Sequence, residues 1–325
     1  MTTTFPRRAI LQAGALAPLL ISAPALAQTR TPEKLTLLLD WFVNPGHAPI
    51  VIANERGYFR DAGLDVTIVP PADPSAPPRL IAAKQAEIAI SYQPNLHLMV
   101  GEGLPLVRVG TLVATPLNIL ACLDDGPIKT LADLKGKTVG FSVGGFEDAL
   151  LGAMLKTVGL KLTDVKLVNV NFALTQALIS GRVDAVIGAF RNFELTQIAL
   201  AGRKGRAFFP EENGVPAYDE LIFVAHRDSL GDARLRRFVD AIERAVIAII
   251  NDPAGSWDLF KRAHPKLDDE LNRRAWADSL PRFAKTPASV DVGRYRRFAA
   301  FLEQAGLIRN PPAVSTYAVE LTSGA

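Results

Sequence analysis

Asp40 and Trp41 close an apolar run, and Asn44, Pro45, Gly46 and His47 follow at once in the stretch LDWFVNPGH. An ionised carboxylate only accepts hydrogen bonds, so Asp40 suits a ligand edge that carries N–H groups. An indole offers a flat face to an aromatic or cationic ligand. Side chains alternate across a strand, so one of these two neighbours should reach the strand's tip. A core tryptophan and a turn or N-cap aspartate are the plainer roles open to the same residues. Pro49 fits the first turn of a following helix, which leaves His47 as either a cap or a ligand contact.

A second group lies in GAFRNFELTQ, where a strand runs directly into a helix. Phe190, Asn192 and Glu194 fall within one turn of its tip, bringing a stacking face and a carboxylate together, whereas Phe193 is expected in the core. In SVGGFEDALLGAML, Ser142, Gly144 and Gly145 sit at a strand-to-helix turn. Backbone N–H groups there attract anions or carbonyl oxygens, and a plain tight turn is the alternative. No Lys-Ser/Thr follows and the dinucleotide-binding glycine spacing is absent, so no nucleotide loop is expected. His97, His226 and His264 share no ligand spacing with His47 or with Cys122, the single cysteine, so no metal site is expected. No nucleophile elbow, Ser/His/Asp arrangement or helical carboxylate frame occurs. The residues provide places to bind and no machinery to react: a binding protein with no catalytic residue and no cofactor.

The elements that must carry these residues alternate from residue 35 to about 225. Strands are expected at LTLLLDW, LDVTIVP, AEIAISY, LVRVGTLV, LNILACL, KTVGFSV, VKLVNVN, VDAVIGAF and ELIFVAH. Helices are expected between them at IVIANERGYF, PPRLIAAKQ, FEDALLGAMLKTVG and LTQALISGR, and after Asp228 the pattern is wholly helical. Short apolar strands alternating with amphipathic helices predict a parallel-dominated α/β architecture. Ile81 to Ile90 and Leu178 to Ile187 are built alike: a helix end, a tight basic turn, an acid, then a buried strand. Tyr92-Gln93 and Ala189-Phe190 follow, at the strand tips where open α/β sheets bind ligands. Helix–turn–strand units resemble one another widely, so this likeness alone leaves the pairing open.

The N-terminus reads as an address. Arg7 and Arg8 precede an apolar stretch that ends in Ala25-Leu26-Ala27, the layout of an export signal resembling the twin-arginine type. Residues 1–27 are therefore expected to be removed, leaving a soluble periplasmic protein that begins near Gln28. The whole chain has 36 Lys and Arg against 33 Asp and Glu; without Arg7 and Arg8 the balance falls from +3 to +1. The late basic clusters share their helices with acids and read as solvated faces, so no nucleic-acid partner is expected. The remaining chain is close to the size at which one core divides into two.

The run from Asp40 to Pro94, DWFVNPGHAPIVIANERGYF onward through AEIAISYQP, resembles the N-terminal lobe of the thiamine-pyrimidine family. LADLKGKTVGFSVGG, ISGRVDAVIGAFRNFELTQ and GVPAYDELIFVAHRDSL continue the likeness across residues 35 to 230. That family includes periplasmic receptors of ABC importers for thiamine precursors and fungal pyrimidine-precursor synthases. The resemblance implies a two-lobe periplasmic binding protein of type II. Each lobe is then a mostly parallel sheet flanked by helices, with a helical C-terminal region. Residues 28–115 begin lobe 1, 116–222 form lobe 2, and 223–325 return to lobe 1. It further implies that the lobes close like a hinge on a 4-amino-2-methylpyrimidine. Trp41, Tyr92 and Phe190 would stack on its ring while Asp40 and Glu194 pair with its amino edge. Asn44, His47, Gln93, Ser142, Phe146, Asn192 and Tyr218 complete the expected ligand-binding set. The implied partner is a membrane permease, and the protein itself a monomer. A sulfonate, nitrate or flavin-precursor receptor of the same fold is the competing reading, but anions call for arginine where these tips offer acids and aromatics. A synthase would carry a cysteine-rich iron-site motif, and Cys122 stands alone.

Overall fold

The computed structural model describes residues 1–2 and 31–321. The expected export signal and its cleavage site lie outside the described residues. Val, Ile and Leu dominate the short runs between turns, and among the described residues these form ten strands in two five-stranded sheets.

The first sheet contains β1 (Glu33–Leu38), β2 (Leu64–Val69), β3 (Ile88–Ser91), β4 (Leu106–Val113) and, from far along the chain, Leu221–His226. The second contains β5 (Asn118–Leu123), β6 (Thr138–Phe141), β7 (Lys166–Asn169), β8 (Ala185–Phe190) and β9 (Gly205–Phe208). Leu221–His226 is thus β10. The orders are β2-β1-β3-β10-β4 and β7-β6-β8-β5-β9. In each sheet four strands run one way, and the fifth is antiparallel to both of its neighbours. The exceptional strand is the one that has just arrived from the other sheet: β5 after the outgoing crossing, β10 after the return. A chain that leaves one sheet at its strand tips must enter the other at its tips, and so runs against the rest. Both crossings therefore lie at the tip ends of the two sheets, between Val113 and Asn118 and between Phe208 and Leu221. The expected boundary at 222 falls inside β10.

The two similar stretches occupy equivalent places. Helix Pro77–Ala82 leads into β3 and helix Leu174–Ile179 into β8, the central strand of each sheet. Lys84 and Gly181 take the same left-handed turn, with φ of +57° and +72°. Glu87 then accepts the backbone N–H of Thr36 on β1, and Asp184 that of Thr138 on β6, both at 2.8 Å. One construction rule builds both halves and brings both strand tips to the same crevice.

Helix Ala233–Asn251 shows how the C-terminal region is held. Leu235, Phe238, Val239, Ile242, Ala245, Val246 and Ile249 are its buried face at helical spacing. Phe238 stacks on Phe59 with ring centroids 5.3 Å apart, and Asp232 caps the first turn by accepting from the Arg234 N–H at 2.9 Å.

Local structure departs from the sequence pattern in three places. The expected helix IVIANERGYF is broken, because Gly57 takes φ +73° and separates Ala48–Glu55 from Tyr58–Asp61. The edge strand β9 has only four residues, too few for a readable alternation. Helix Gln93–Gly101 begins directly after Tyr92, and its buried Gln93, Asn95 and His97 interrupt any apolar period.

Candidate functional site

The cleft between the sheets begins at the turn after β1. Asn44 caps the short 3-10 turn Pro45–His47, its side chain accepting from the Gly46 N–H at 2.8 Å. His47 returns the favour, its Nδ1 accepting from the Asn44 N–H at 3.3 Å. An Nδ1 that accepts leaves the ring proton on Nε2, which lies 2.9 Å from Oδ1 of Asp40 and donates to it. The Tyr92 hydroxyl, from the tip of β3, donates to Oδ2 of Asp40 at 2.9 Å. Asp40 is 3% exposed, and both of its oxygens already hold an internal donor. His47 is at once a cap and a wall of the cleft. Burial, then the Asp40 carboxylate, pushes the Tyr92 phenol well above its ordinary range, so it remains a donor.

The opposite wall comes from the second sheet. Phe190, Asn192, Phe193 and Glu194 continue β8 into helix Glu194–Leu200. Phe193, expected in the core, lines the cleft and is part-exposed, because the kinked residue between strand and helix turns its ring outward. Glu194 is buried, accepts the Phe190 N–H at 2.6 Å, and is pushed up to about 7, with burial the main cause.

Glu147 is the titratable cleft residue that sequence reasoning missed. It stands in the first turn of helix Phe146–Lys156, a position where exposed acids are ordinary. Here it points inward, accepts the Ser142 N–H at 2.8 Å through Oε2, and presses against β8. A Cβ at Gly188 would lie 2.3 Å from Glu147 Oε1, so that glycine, at φ +93°, gives the carboxyl its room. Burial is the main cause that pushes Glu147 up to about 8. The partner of that glycine, in a distant strand, could not be read from the local text.

Asp40, Trp41, Asn44, His47, Tyr92, Phe190, Asn192 and Glu194 are thus brought together around one cleft, with Leu117, Glu147, Leu174, Gly188, Phe193 and Leu221. Among the described residues, no lysine or arginine lines it. Arg191, the nearest cation in sequence, is held by both oxygens of Glu211, at 2.7 and 3.0 Å, and lies over the Phe209 ring.

Four expected residues stand away from the cleft. Gln93 is fully buried behind it, its Oε1 accepting from the Asp219 N–H at 2.8 Å and its amide nitrogen 3.2 Å from His97. As the first residue of its helix it turns back into the core while Tyr92 faces forward. The Ser142 hydroxyl donates to the Asn171 carbonyl. Phe146 stacks behind Tyr92, with centroids 4.6 Å apart and planes 23° apart, and buttresses that ring from the other sheet. Tyr218 is buried edge-on against Phe298. In the Ser142–Gly145 turn the helix's own acids accept two of the backbone N–H groups, Glu147 that of Ser142 and Asp148 that of Gly145.

Trp41 also reaches across the cleft, meeting Phe172 edge-on at 4.6 Å between centroids. Phe42, half exposed, lies 4.5 Å from the same ring. Phe172 follows β7, so this aromatic trio spans the mouth between the sheets.

Comparison with known proteins agrees with this architecture. The periplasmic aliphatic sulphonate binding protein of Escherichia coli superposes with a TM-score of 0.66 at 19% identity, covering 90% of this chain and 94% of that one. The fold is that of the periplasmic binding proteins. A thiamine biosynthesis protein of Haemophilus influenzae is 49% identical over 304 residues, covering 93% of this chain and 96% of its own. A formylaminopyrimidine-binding protein of Halalkalibacterium halodurans is 37% identical over 194 residues, covering 60% of this chain and 59% of its own. Residues 44–256 match the family model described as NMT1/THI5 like. With two sheets of one plan, a shared crevice and relatives of this extent, the chain belongs to the NMT1/THI5-like family.

Proposed function

We propose that this protein is the exported, soluble receptor of an ABC importer and captures an aminopyrimidine of the thiamine-precursor type between its two lobes. The observation that carries the reading is the cleft's chemistry: three buried carboxyl groups, Asp40, Glu147 and Glu194, among aromatic rings and without a cation. A sulfonate or nitrate would find no lysine or arginine among the lining residues to balance its charge, whereas an amino-substituted ring meets acceptors for its N–H groups and faces for its π-system. The name of the Halalkalibacterium relative supports the same ligand class.

The carboxyls differ in what they offer. Glu147, pushed up to about 8, keeps its proton at neutral pH, and with Oε2 accepting from the backbone that proton belongs on Oε1. A protonated carboxyl donates and accepts side by side, which complements the ring nitrogen and adjacent amino group of a 4-aminopyrimidine. Glu194 is nearer to balance at neutral pH. Lobe 1 (28–115 with 223–325) and lobe 2 (116–222) would close about the two crossings, with Trp41 and Phe172 meeting across the mouth. Enzymatic turnover finds no support in this cleft. Cys122 is buried in β5 away from it, and its thiol is pushed up to about 11 by burial.

The test is calorimetric titration of the purified protein, without its leader, with formylaminopyrimidine, hydroxymethylpyrimidine and taurine. Binding of a pyrimidine with silence toward taurine supports the reading. Tight binding of taurine alone would overturn it.

A further inference from the structure

Asn192 lies in the cleft wall, 4% exposed, and its side-chain amide is used on one side only. Nδ2 donates to Oγ of Ser279 at 2.9 Å. The Ser279 hydroxyl donates in turn to the carbonyl of Ala275, one turn back in its own helix, at 2.6 Å. A hydroxyl has a single proton. Because Ala275 takes it, Ser279 can only accept from Asn192, and the amide must present its nitrogen to the serine. The other end, Oδ1, is buried and has no protein partner. A buried carbonyl oxygen left unpaired is costly, and in a ligand cleft it is an acceptor held ready for a donor.

Ser279 ends helix Glu270–Ser279, in the C-terminal region and far in sequence from every cleft residue. This helix packs against both the Pro45–His47 turn and helix Glu194–Leu200, one from each wall of the cleft. It is therefore placed to hold a wall residue in register with the opposite turn.

We infer that Ser279 is a positioning residue that fixes the orientation of the Asn192 amide, so that its carbonyl Oδ1 receives an N–H group of the ligand. The inference deepens the aminopyrimidine reading and rests on it for the identity of the ligand. Its consequence is discrimination. A ring bearing an amino group at that point is accepted, while its oxo counterpart sets carbonyl against carbonyl. Were the amide free to flip, Nδ2 could serve the oxo ring equally well, so selectivity depends on the serine.

The experiment compares wild type, Ser279→Ala, Ser279→Thr, Asn192→Ala and the Ser279→Ala/Asn192→Ala double variant. Each is titrated with hydroxymethylpyrimidine and with its 4-oxo analogue. Ser279→Ala is expected to weaken amino-ring binding by about tenfold, the effect of one hydrogen bond, and to narrow the amino-over-oxo preference. Ser279→Thr keeps the hydroxyl and should restore both. Once Asn192 is removed, loss of the serine should add little, since the two act as one unit. Equal amino-over-oxo ratios in wild type and Ser279→Ala, or fully additive losses, would overturn the inference. A second readout needs no ligand: the side-chain amide resonances of Asn192, assigned by their loss in Asn192→Ala, should shift in Ser279→Ala and return in Ser279→Thr. Unchanged resonances would overturn the positioning role. If wild type binds neither pyrimidine, the aminopyrimidine reading fails, and the amide spectrum alone decides the role of Ser279.

Discussion

The Tyr92 hydroxyl donates to the Asp40 carboxylate at 2.9 Å and so ties the tip of β3 to the tip of β1. The bond is buried on both sides, and the second carboxylate oxygen is held by His47. Tyr92→Phe removes the donor and leaves a buried carboxylate oxygen short of a partner, at a cost of about 1–3 kcal/mol. Urea unfolding should show a lower midpoint with an unchanged slope. An unaltered midpoint would mean that water replaces the hydroxyl.

Trp41 and Phe172 separate stacking on a ligand from closure of the lobes. Trp41 lines the cleft and Phe172 does not, although their rings meet. Trp41→Ala should weaken aminopyrimidine binding by roughly ten- to a hundredfold, on the scale of 1–3 kcal/mol for base–aromatic stacking. Phe172→Ala should cost less than about tenfold, since an aromatic pair contributes about 0.5–1.5 kcal/mol, and should act mainly on the dissociation rate. Stopped-flow fluorescence of the tryptophans reads both. Equal losses in the two variants would place Trp41 in closure rather than in stacking.

Glu194 tests the class of ligand. Its carboxyl lies in the cleft with one oxygen on the Phe190 N–H. Glu194→Gln exchanges an acceptor for a donor on one side, and should weaken an aminopyrimidine by about tenfold or more, the range for a hydrogen bond to a charged group. For an anionic ligand the same change would help. Calorimetry with hydroxymethylpyrimidine and with taurine distinguishes the two outcomes, and a gain toward taurine would reopen the sulfonate reading.

Three buried carboxyls predict how stability depends on pH. Burial is the first cause that pushes Glu147 up to about 8 and Glu194 and Glu220 up to about 7, all above the unfolded value of 4.5. The folded state therefore holds protons that the unfolded state has lost. This contribution is complete below about pH 4.5 and is lost as pH rises through 7 to 8. His97 acts in the opposite sense, because burial lowers it to about 3 and it costs stability only below its unfolded value of 6.5. The clean window is thus pH 6.5 to 8.5, where the melting temperature of the ligand-free protein should fall. Glu147→Gln should flatten that slope, and a slope equal to that of wild type would remove Glu147 as its source.

What could be read in the sequence was what local text determines. Asp40, Asn44 and His47 lie in one short stretch, so their nearness was legible, although the bond from His47 to Asp40 was not. Glu87 and Asp184 were visible as matching acids because the stretches around them match. Glu147 was not, since an acid in the first turn of a helix is ordinarily solvated, and only the Gly188 backbone across the sheet explains its burial. Gln93 was misplaced for a related reason. Closeness to a strand tip fixes where the backbone is, but the onset of a helix decides which way the side chain turns. Ser279 is the extreme case, 87 residues from the side chain it holds.

The matched acids Glu87 and Asp184, each just before the central strand of its sheet, bind β1 and β6 away from the cleft, while Asp40, Tyr92, Phe190 and Asn192 all lie at or beyond the strand tips. Foldability and ligand choice are therefore written in different letters of the same text. Drift at the tips can change what is captured without disturbing how the sheets assemble. A fold so divided can be retuned by a handful of substitutions, and a sulphonate-binding protein at 19% identity shares its frame.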